Sequence, residues 1–154
     1  MPAIKSQKTE IYWASAATAV TKLVCPTNIS GLGGARDQVD TTCFDDEERT
    51  FLPGLGNPGQ VTVAFNVHKG ELSHEDVLAL KASGAVVSWG IYSSDSATAP
   101  TAVGSVMQVV ATRVSAIFNG YVSDVNIDIA GNDIWKGTVT IQRSGEVAFD
   151  LLTV

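Results

Sequence analysis

Across residues 60–67 apolar and polar side chains alternate without a break. Val61, Val63, Phe65 and Val67 fall on one side of an extended chain, and Gln60, Thr62, Ala64 and Asn66 on the other. Strand side chains point to opposite faces with a period of two, so this pattern defines a strand with one face in a core and one face open. The same period governs nearly everything after Gly84. Residues 85–92 form a strand through Trp89, and a loop of small residues closed by Pro100 leads to residues 107–114. A very long run follows over residues 115–129, in which Val125, Ile127 and Ile129 alternate with Asp124, Asn126 and Asp128. Residues 135–143 and 146–154 complete the set, with a turn expected at Ser144–Gly145. Asn119–Gly120 carries a hairpin signal, yet the alternation continues through it, so a bend or bulge competes with a hairpin there.

The first half is less regular. Strands are expected over residues 10–15, with Tyr12 and Trp13, and over residues 22–25, stopping at Pro26, which cannot donate to a ladder. The one helix signal spans residues 74–83. Ser73 reads as its N-cap, Asp76 completes a start like a capping box, Leu72 and Val77 sit where a hydrophobic staple places them, and Gly84 ends it. Val77, Leu78 and Leu80 supply the helix's buried side, and Trp13, Trp89 and Trp135 read as core. The expected class is mainly β (α+β): an antiparallel β-sandwich or partial barrel with one flanking α-helix, formed by residues 1–154 as a single domain.

Composition narrows function more than it specifies it. The chain has 154 residues, 45% of them hydrophobic, which suffices for a sizeable core and argues against disorder throughout. Its formal charge of −6 and the absence of any Lys/Arg run argue against a grip on nucleic acid. The first eleven residues are polar and no apolar run reaches about 20 residues, so neither a secretory signal nor a membrane anchor is expected. A reducing cytoplasm is then the expected site of synthesis, and Cys25 and Cys43 are expected as free, buried or half-buried thiols.

No catalytic set assembles. His68 and His74 are the only histidines, and both read as surface residues without an orienting carboxylate. With two cysteines they make a poor zinc set. Gly31, Gly33 and Gly34 lack the lysine and the strand–loop–helix setting of a phosphate loop. The run Asp45–Asp46–Glu47–Glu48 lacks the alternating spacing and glycine of a calcium loop. Asp124 and Asp128 share a strand face, but nothing else suggests a sugar cleft. No enzyme activity, cofactor or metal is expected.

Residues 37–59 show no clear period. They combine Asp37, Asp40, Asp45, Asp46, Glu47, Glu48 and Arg49 with Phe44, Phe51, Leu52 and Leu55, among Pro53, Gly54, Gly56, Pro58 and Gly59. A long irregular loop in a compact domain is usually functional, and large apolar groups in it suggest ordering by a partner.

Three stretches, taken in order, resemble the major tail tube proteins of long-tailed, non-contractile, lambda-like phages. They are Asp40-Thr-Thr-Cys-Phe-Asp45-Asp-Glu-Glu-Arg49-Thr-Phe-Leu-Pro-Gly54 with Gly59-Gln-Val-Thr-Val-Ala-Phe65, the strand-to-helix step over residues 65–84, and Phe118-Asn-Gly-Tyr-Val-Ser123 with Gly137-Thr-Val-Thr-Ile-Gln-Arg143-Ser-Gly145. The resemblance covers the chain from about residue 10 onward. It implies a β-sandwich with a flanking helix that assembles into hexameric rings, the sheets closing into one barrel and the rings stacking into a tube. It further implies a place in the virion tail after assembly in the host cytoplasm, and DNA ejection through the lumen without tight binding. The implied partners are a tape-measure protein, tail assembly chaperones and a tail terminator. On this reading Phe44, Asp45, Asp46, Glu47, Glu48, Arg49, Phe51, Leu52 and Pro53 form an assembly interface within or between rings, and Asp124 and Asp128 face the lumen. Two alternatives stay open: a tube protein of a contractile tail or secretion machine, and a soluble β-sandwich carbohydrate-binding module with an exposed tryptophan platform.

Overall fold

The computed structural model describes residues 2–153. It contains eleven strands and one helix: β1 Glu10–Ala14, β2 Val20–Lys22, β3 Pro26–Ser30, β4 Arg36–Asp40, β5 Phe51–Gly56, β6 Gln60–Asn66, α1 Leu72–Ser83, β7 Val87–Tyr92, β8 Ala102–Val103, β9 Val106–Met107, β10 Ser115–Asp128 and β11 Lys136–Asp150. Seven strands form one antiparallel sheet in the order β2-β1-β7-β10-β11-β6-β3, and β4–β5 and β8–β9 are separate hairpins.

The long strands β10 and β11 make this single sheet behave as two. Strand β7 pairs with β10 only over Ser115–Gly120, whereas β6 pairs with β11 only over Lys136–Gln142. The outer half is therefore β2-β1-β7 with the first part of β10 and the last part of β11. The inner half is the remainder of β10 and β11 with β6 and β3. Register shifts between Ile117 and Asn119 and between Val122 and Asp124 mark where the ribbon bends. The halves enclose one core in which Ile11, Trp13, Leu23, Trp89 and Phe118 meet Val61, Val63, Phe65, Val139 and Ile141. Trp13 and Trp89 lie 5.3 Å apart, and the Trp89 indole N–H donates to Gly120 O at 3.2 Å. Helix α1 closes one side of the core through Val77 and Leu80. A second, smaller cluster covers the outer half's other face with Tyr12, Tyr92, Ala102 and Met107.

Several expectations need correction. The segment 37–59 is not irregular: β4 and β5 pair within it. Neither strand buries a face, so no apolar alternation could announce them. Ser144–Gly145 is no turn either, because β11 runs through it with Gly145 at φ +91°, and the local irregularity is absorbed opposite Ile117–Asn119. At Asn119–Gly120 the chain neither reverses nor bulges, since both residues pair in register with Ser144 and Arg143 on one side and Ser88 and Val87 on the other. Pro26 opens β3 instead of ending a strand over 22–25, and Cys25 takes the turn at φ +56°. Of the strand expected at 107–114 only Met107 is in a strand, in the two-residue β9.

The helix begins at Leu72, with Glu71 as N-cap, its carboxylate accepting from Ser73 N. Ser73 is buried, and its Oγ accepts from Val24 N at 3.3 Å. Leu72 and Leu78 are exposed, so there is no staple and a narrower buried stripe than expected. His74 is buried, not superficial. Its Nδ1 accepts from His68 N at 3.2 Å, which leaves Nε2 to donate to Val24 O at 2.9 Å. Trp135 lies outside the core, with about half of its surface exposed. Cys25 is half-buried, but Cys43 is exposed rather than a packing residue.

Candidate assembly surfaces

Backbone pairing decides which parts of this chain are incomplete. Beyond Gly120, β10 pairs with β11 on one side and, among the described residues, with no strand on the other. At the far side of the inner half, β3 pairs with β6 and ends the sheet. The inner four-stranded half thus has two open margins, Tyr121–Asp128 and Pro26–Ser30, each presenting unpaired N–H and C=O groups. Its strands alternate in direction, so β10 and β3 run opposite ways.

The uncovered face of the inner half follows from register. Ser30, Thr62, Thr140 and Asp124 share one row. Asn28, Ala64, Thr138 and Asn126 share the next, and Asn66, Lys136 and Asp128 the one after. The surface is mostly hydroxyl and amide, with Asp124 in the first of these rows and Lys136 and Asp128 in the last. Both acidic candidates belong to it. Asp124 reaches Lys81 of α1 at 3.2 Å, and Asp128 accepts from Asn126 Nδ2 at 3.2 Å.

The β4–β5 hairpin is an arm standing away from the sandwich. All nine interface candidates lie on it and all are exposed: Phe44, Asp45, Asp46, Glu47, Glu48 and Arg49 at the tip, Phe51, Leu52 and Pro53 in β5. Val39 and Leu55 are exposed as well. The tip is organised by its own polar groups. Asp40 Oδ1 accepts from Thr42 N at 2.9 Å, and the Thr42 side chain together with this bond lowers the Asp40 pKa; Asp46 Oδ2 accepts from Cys43 N at 2.8 Å. The base is held by Arg143 of β11, a buried guanidinium whose Nη2 donates to Gly33 O. Arg143 N donates to Gly59 O at 3.3 Å and Asn57 N to Ala35 O at 2.8 Å. Sequence reading missed Arg143, because one arginine in an alternating strand gives no sign of its burial.

A second buried cation lies in the outer half. Arg113 is wholly buried; Nε donates to Ser93 O at 2.7 Å, Nη1 to Thr98 O at 3.0 Å and Nη2 to Glu10 Oε1 at 3.1 Å. Glu10 also receives the Tyr12 hydroxyl at 2.6 Å and Lys22 Nζ at 3.0 Å. Partial burial opposes its ionisation, but the Tyr12 and Lys22 hydrogen bonds and the Lys22 and Arg113 charges outweigh that and lower its pKa. Burial pushes Tyr12 up to about 12, reinforced by Glu10, and pushes Tyr92 up to about 12 against the nearby Arg113 charge. This network ties the loop 93–114 to β1. The two buried tryptophans exclude a three-tryptophan sugar platform, since only Trp135 is open to solvent.

The fold of this chain is shared by solved structures from phage tails and related injection machines. The SPP1 tail tube superposes with a TM-score of 0.70 at 8% identity, over 96% of this chain and 80% of that one. The sheath/tube terminator of the extracellular contractile injection system PVC gives 0.71 at 13% identity, over 97% and 98%. The tail of an empty gene transfer agent (GTA) particle gives 0.66 at 11%, over 96% and 99%. At such identities these likenesses establish the fold and do not separate contractile from non-contractile machines.

Sequence is more specific. The chain belongs to the phage tail tube family of lambda-like type (TTP), whose model matches residues 2–152. It is also 33% identical over 149 residues to Structural protein 3 of Pseudomonas phage PAJU2, covering 93% of this chain and 91% of that one. Its role is that of a structural protein of the phage tail tube, and its place is the virion tail.

Proposed function

We propose that six copies close into a ring through the two open margins, and that rings stack into a tube through the arm. The observation carrying this is the pairing pattern: Tyr121–Asp128 of β10 and Pro26–Ser30 of β3 are left without partners at opposite sides of one four-stranded unit. Rotational symmetry sets β3 of one copy beside β10 of the next. Because the unit has an even number of alternating strands, that junction is antiparallel like every other, and closure removes both edges. The GTA tail among the structural relatives is described with C6 symmetry, which supports the count of six.

On this reading the hydroxyl and amide face lines the lumen, with Asp124 in the row nearer the arm and Asp128 in the row at the opposite end. A surface without a cationic patch lets double-stranded DNA pass without adhering. The same lumen accommodates a tape-measure protein during assembly, with chaperones and a terminator acting at the tube ends. The arm residues Phe44 to Arg49 and Phe51 to Pro53 bury against neighbouring copies. Negative-stain microscopy of the concentrated protein tests the assembly: hollow tubes or six-membered rings support it, and a monomer at every concentration refutes it. Deleting residues 45–52 should leave a folded monomer that does not polymerise. Tubes at normal yield would refute the role of the arm.

A further inference from the structure

The arm has a receiving surface in the structure. We propose that the arm of one subunit docks on the opposite pole of a copy in the adjacent ring, against the cleft between α1 and β10 and the exposed Trp135 beside it; the inference rests on the stacked-tube reading. The poles are fixed by register. The arm leaves after Ser30 and returns at Gln60, the end of the inner half where Ser30 pairs with Thr62 and Gln60 with Gln142. The other end is marked by Asn66, Lys136 and Asp128, with the β10–β11 turn and the start of α1 beyond it. When identical rings stack head to tail, one pole of each ring meets the other pole of the next.

That other pole carries an apolar surface with nothing over it. A cleft of about 190 Å³ has Phe65, Val67, Leu78, Val125 and Ile127 as its apolar walls, with Glu71, Glu75 and the two histidines His68 and His74 also lining it. Ile129, Ile134 and Trp135 stand exposed at its rim, and Val67 N donates to Trp135 O at 3.0 Å, which fixes the tryptophan beside the cleft. The arm offers the matching groups: Phe44 fully exposed, with Phe51, Leu52 and Leu55. Charge restricts the pose: Glu71 and Glu75 at the cleft keep the tip carboxylates Asp45, Asp46, Glu47 and Glu48 out of it, so the arm's apolar groups enter and the tip lies toward Lys69, exposed and without an ion-pair partner among the described residues. Reach is sufficient too. About nine residues separate the arm's base from Phe44, up to roughly 30 Å at about 3.3 Å per residue, against roughly 23 Å for the seven residues of β6.

Trp135 supplies the test, because Trp13 and Trp89 are each 1% exposed and it is 53% exposed. Tryptophan emission and iodide quenching are measured on the full chain as monomer and as tubes verified by microscopy. Docking predicts a blue shift and loss of the quenchable fraction on assembly, and a Trp135→Phe variant whose spectrum does not change between the two states. Tubes that form while Trp135 remains quenchable overturn the docking and leave the tube reading standing. Failure to form tubes at all overturns both. A second measurement uses the native Cys43 at the arm tip with an Ile134→Cys substitution. Oxidation of assembled tubes should give a covalent ladder extending beyond six copies, abolished by Cys43→Ser. A ladder that stops at six, or no ladder from intact tubes, refutes docking between rings.

Discussion

Arg113 offers the sharpest test of what holds the outer half together. Its guanidinium is sealed from water and fills three acceptors: two backbone carbonyls, Ser93 O and Thr98 O, and the Glu10 carboxylate. Arg113→Ala leaves those carbonyls without a donor and Glu10 with only Tyr12 and Lys22. Truncating one partner of a buried pair typically costs about 3–5 kcal/mol. Lys22 is half exposed and still answers Glu10, which places the expectation near the lower figure, about 3 kcal/mol. For a chain of this size that corresponds to a fall in Tm of roughly 6–12 °C. The assay is urea unfolding followed by tryptophan emission, in a background lacking residues 45–52 so that assembly does not contribute. Arg113→Lys should recover only part of the loss, since an ammonium cannot span all three acceptors in a planar fork. If Arg113→Ala unfolds within about 1 kcal/mol of its parent, the network does not hold the loop 93–114 to β1, and the reasoning is refuted.

Other consequences can be measured on the same background. Glu10 has a folded pKa below its ordinary 4.5, so its contribution is present above that pH and lost as pH falls through the folded value; Glu10→Gln should flatten the loss of stability below about pH 4.5, and an unchanged acid limb would contradict it. Tyr12 and Tyr92 are raised from 10 to about 12, so the fold should lose stability as pH rises through that window, with Tyr12→Phe reducing the loss in thermal melts between pH 9 and 11. Gly120→Val places a Cβ 2.6 Å from Gln142 O and should cost roughly 2–3 kcal/mol or prevent folding, against a null result within about 0.5 kcal/mol. Arg143→Ala releases Gly33 O at the arm base and should speed proteolysis within residues 36–56 without lowering Tm by more than a few degrees; an unchanged cleavage rate would show that the arm is held by other contacts.

How much of this was legible depended on whether a feature buries one face. β6 and the first part of β10 alternate because half of their side chains enter the core, and sequence located them well, as it did β7, which is buried on both faces. β4 and β5 bury neither face, so their pairing left no periodic trace and the segment read as a loop. Its mixture of carboxylates and large apolar groups is what makes it a candidate assembly element. Polar residues misled in the other direction. Ser73, His74, Arg113 and Arg143 look like surface residues in sequence, yet each is buried and satisfies backbone groups far away in the chain, which local composition does not record. Trp135 shows the converse: a large aromatic one residue before β11 reads as core, but the neighbouring turn carries it past the end of the sheet. Glycine signals were ambiguous for one shared reason. A positive φ serves a turn and a bulge equally, so Gly145 announced a reversal where the strand merely shifts register.

The two long strands have a mechanical consequence. β10 and β11 run without interruption through both halves of the sandwich, so the halves are joined by continuous main chain as well as by side-chain packing. Their departures from regular pairing are confined to the Ile117–Asn119 and Val122–Asp124 positions. A flexing filament built from such subunits can absorb curvature at those two places, by altering coil and splay, while the ladders above and below them stay intact. Within one subunit, continuity along the strands and give at those two places then come from the same pair of strands.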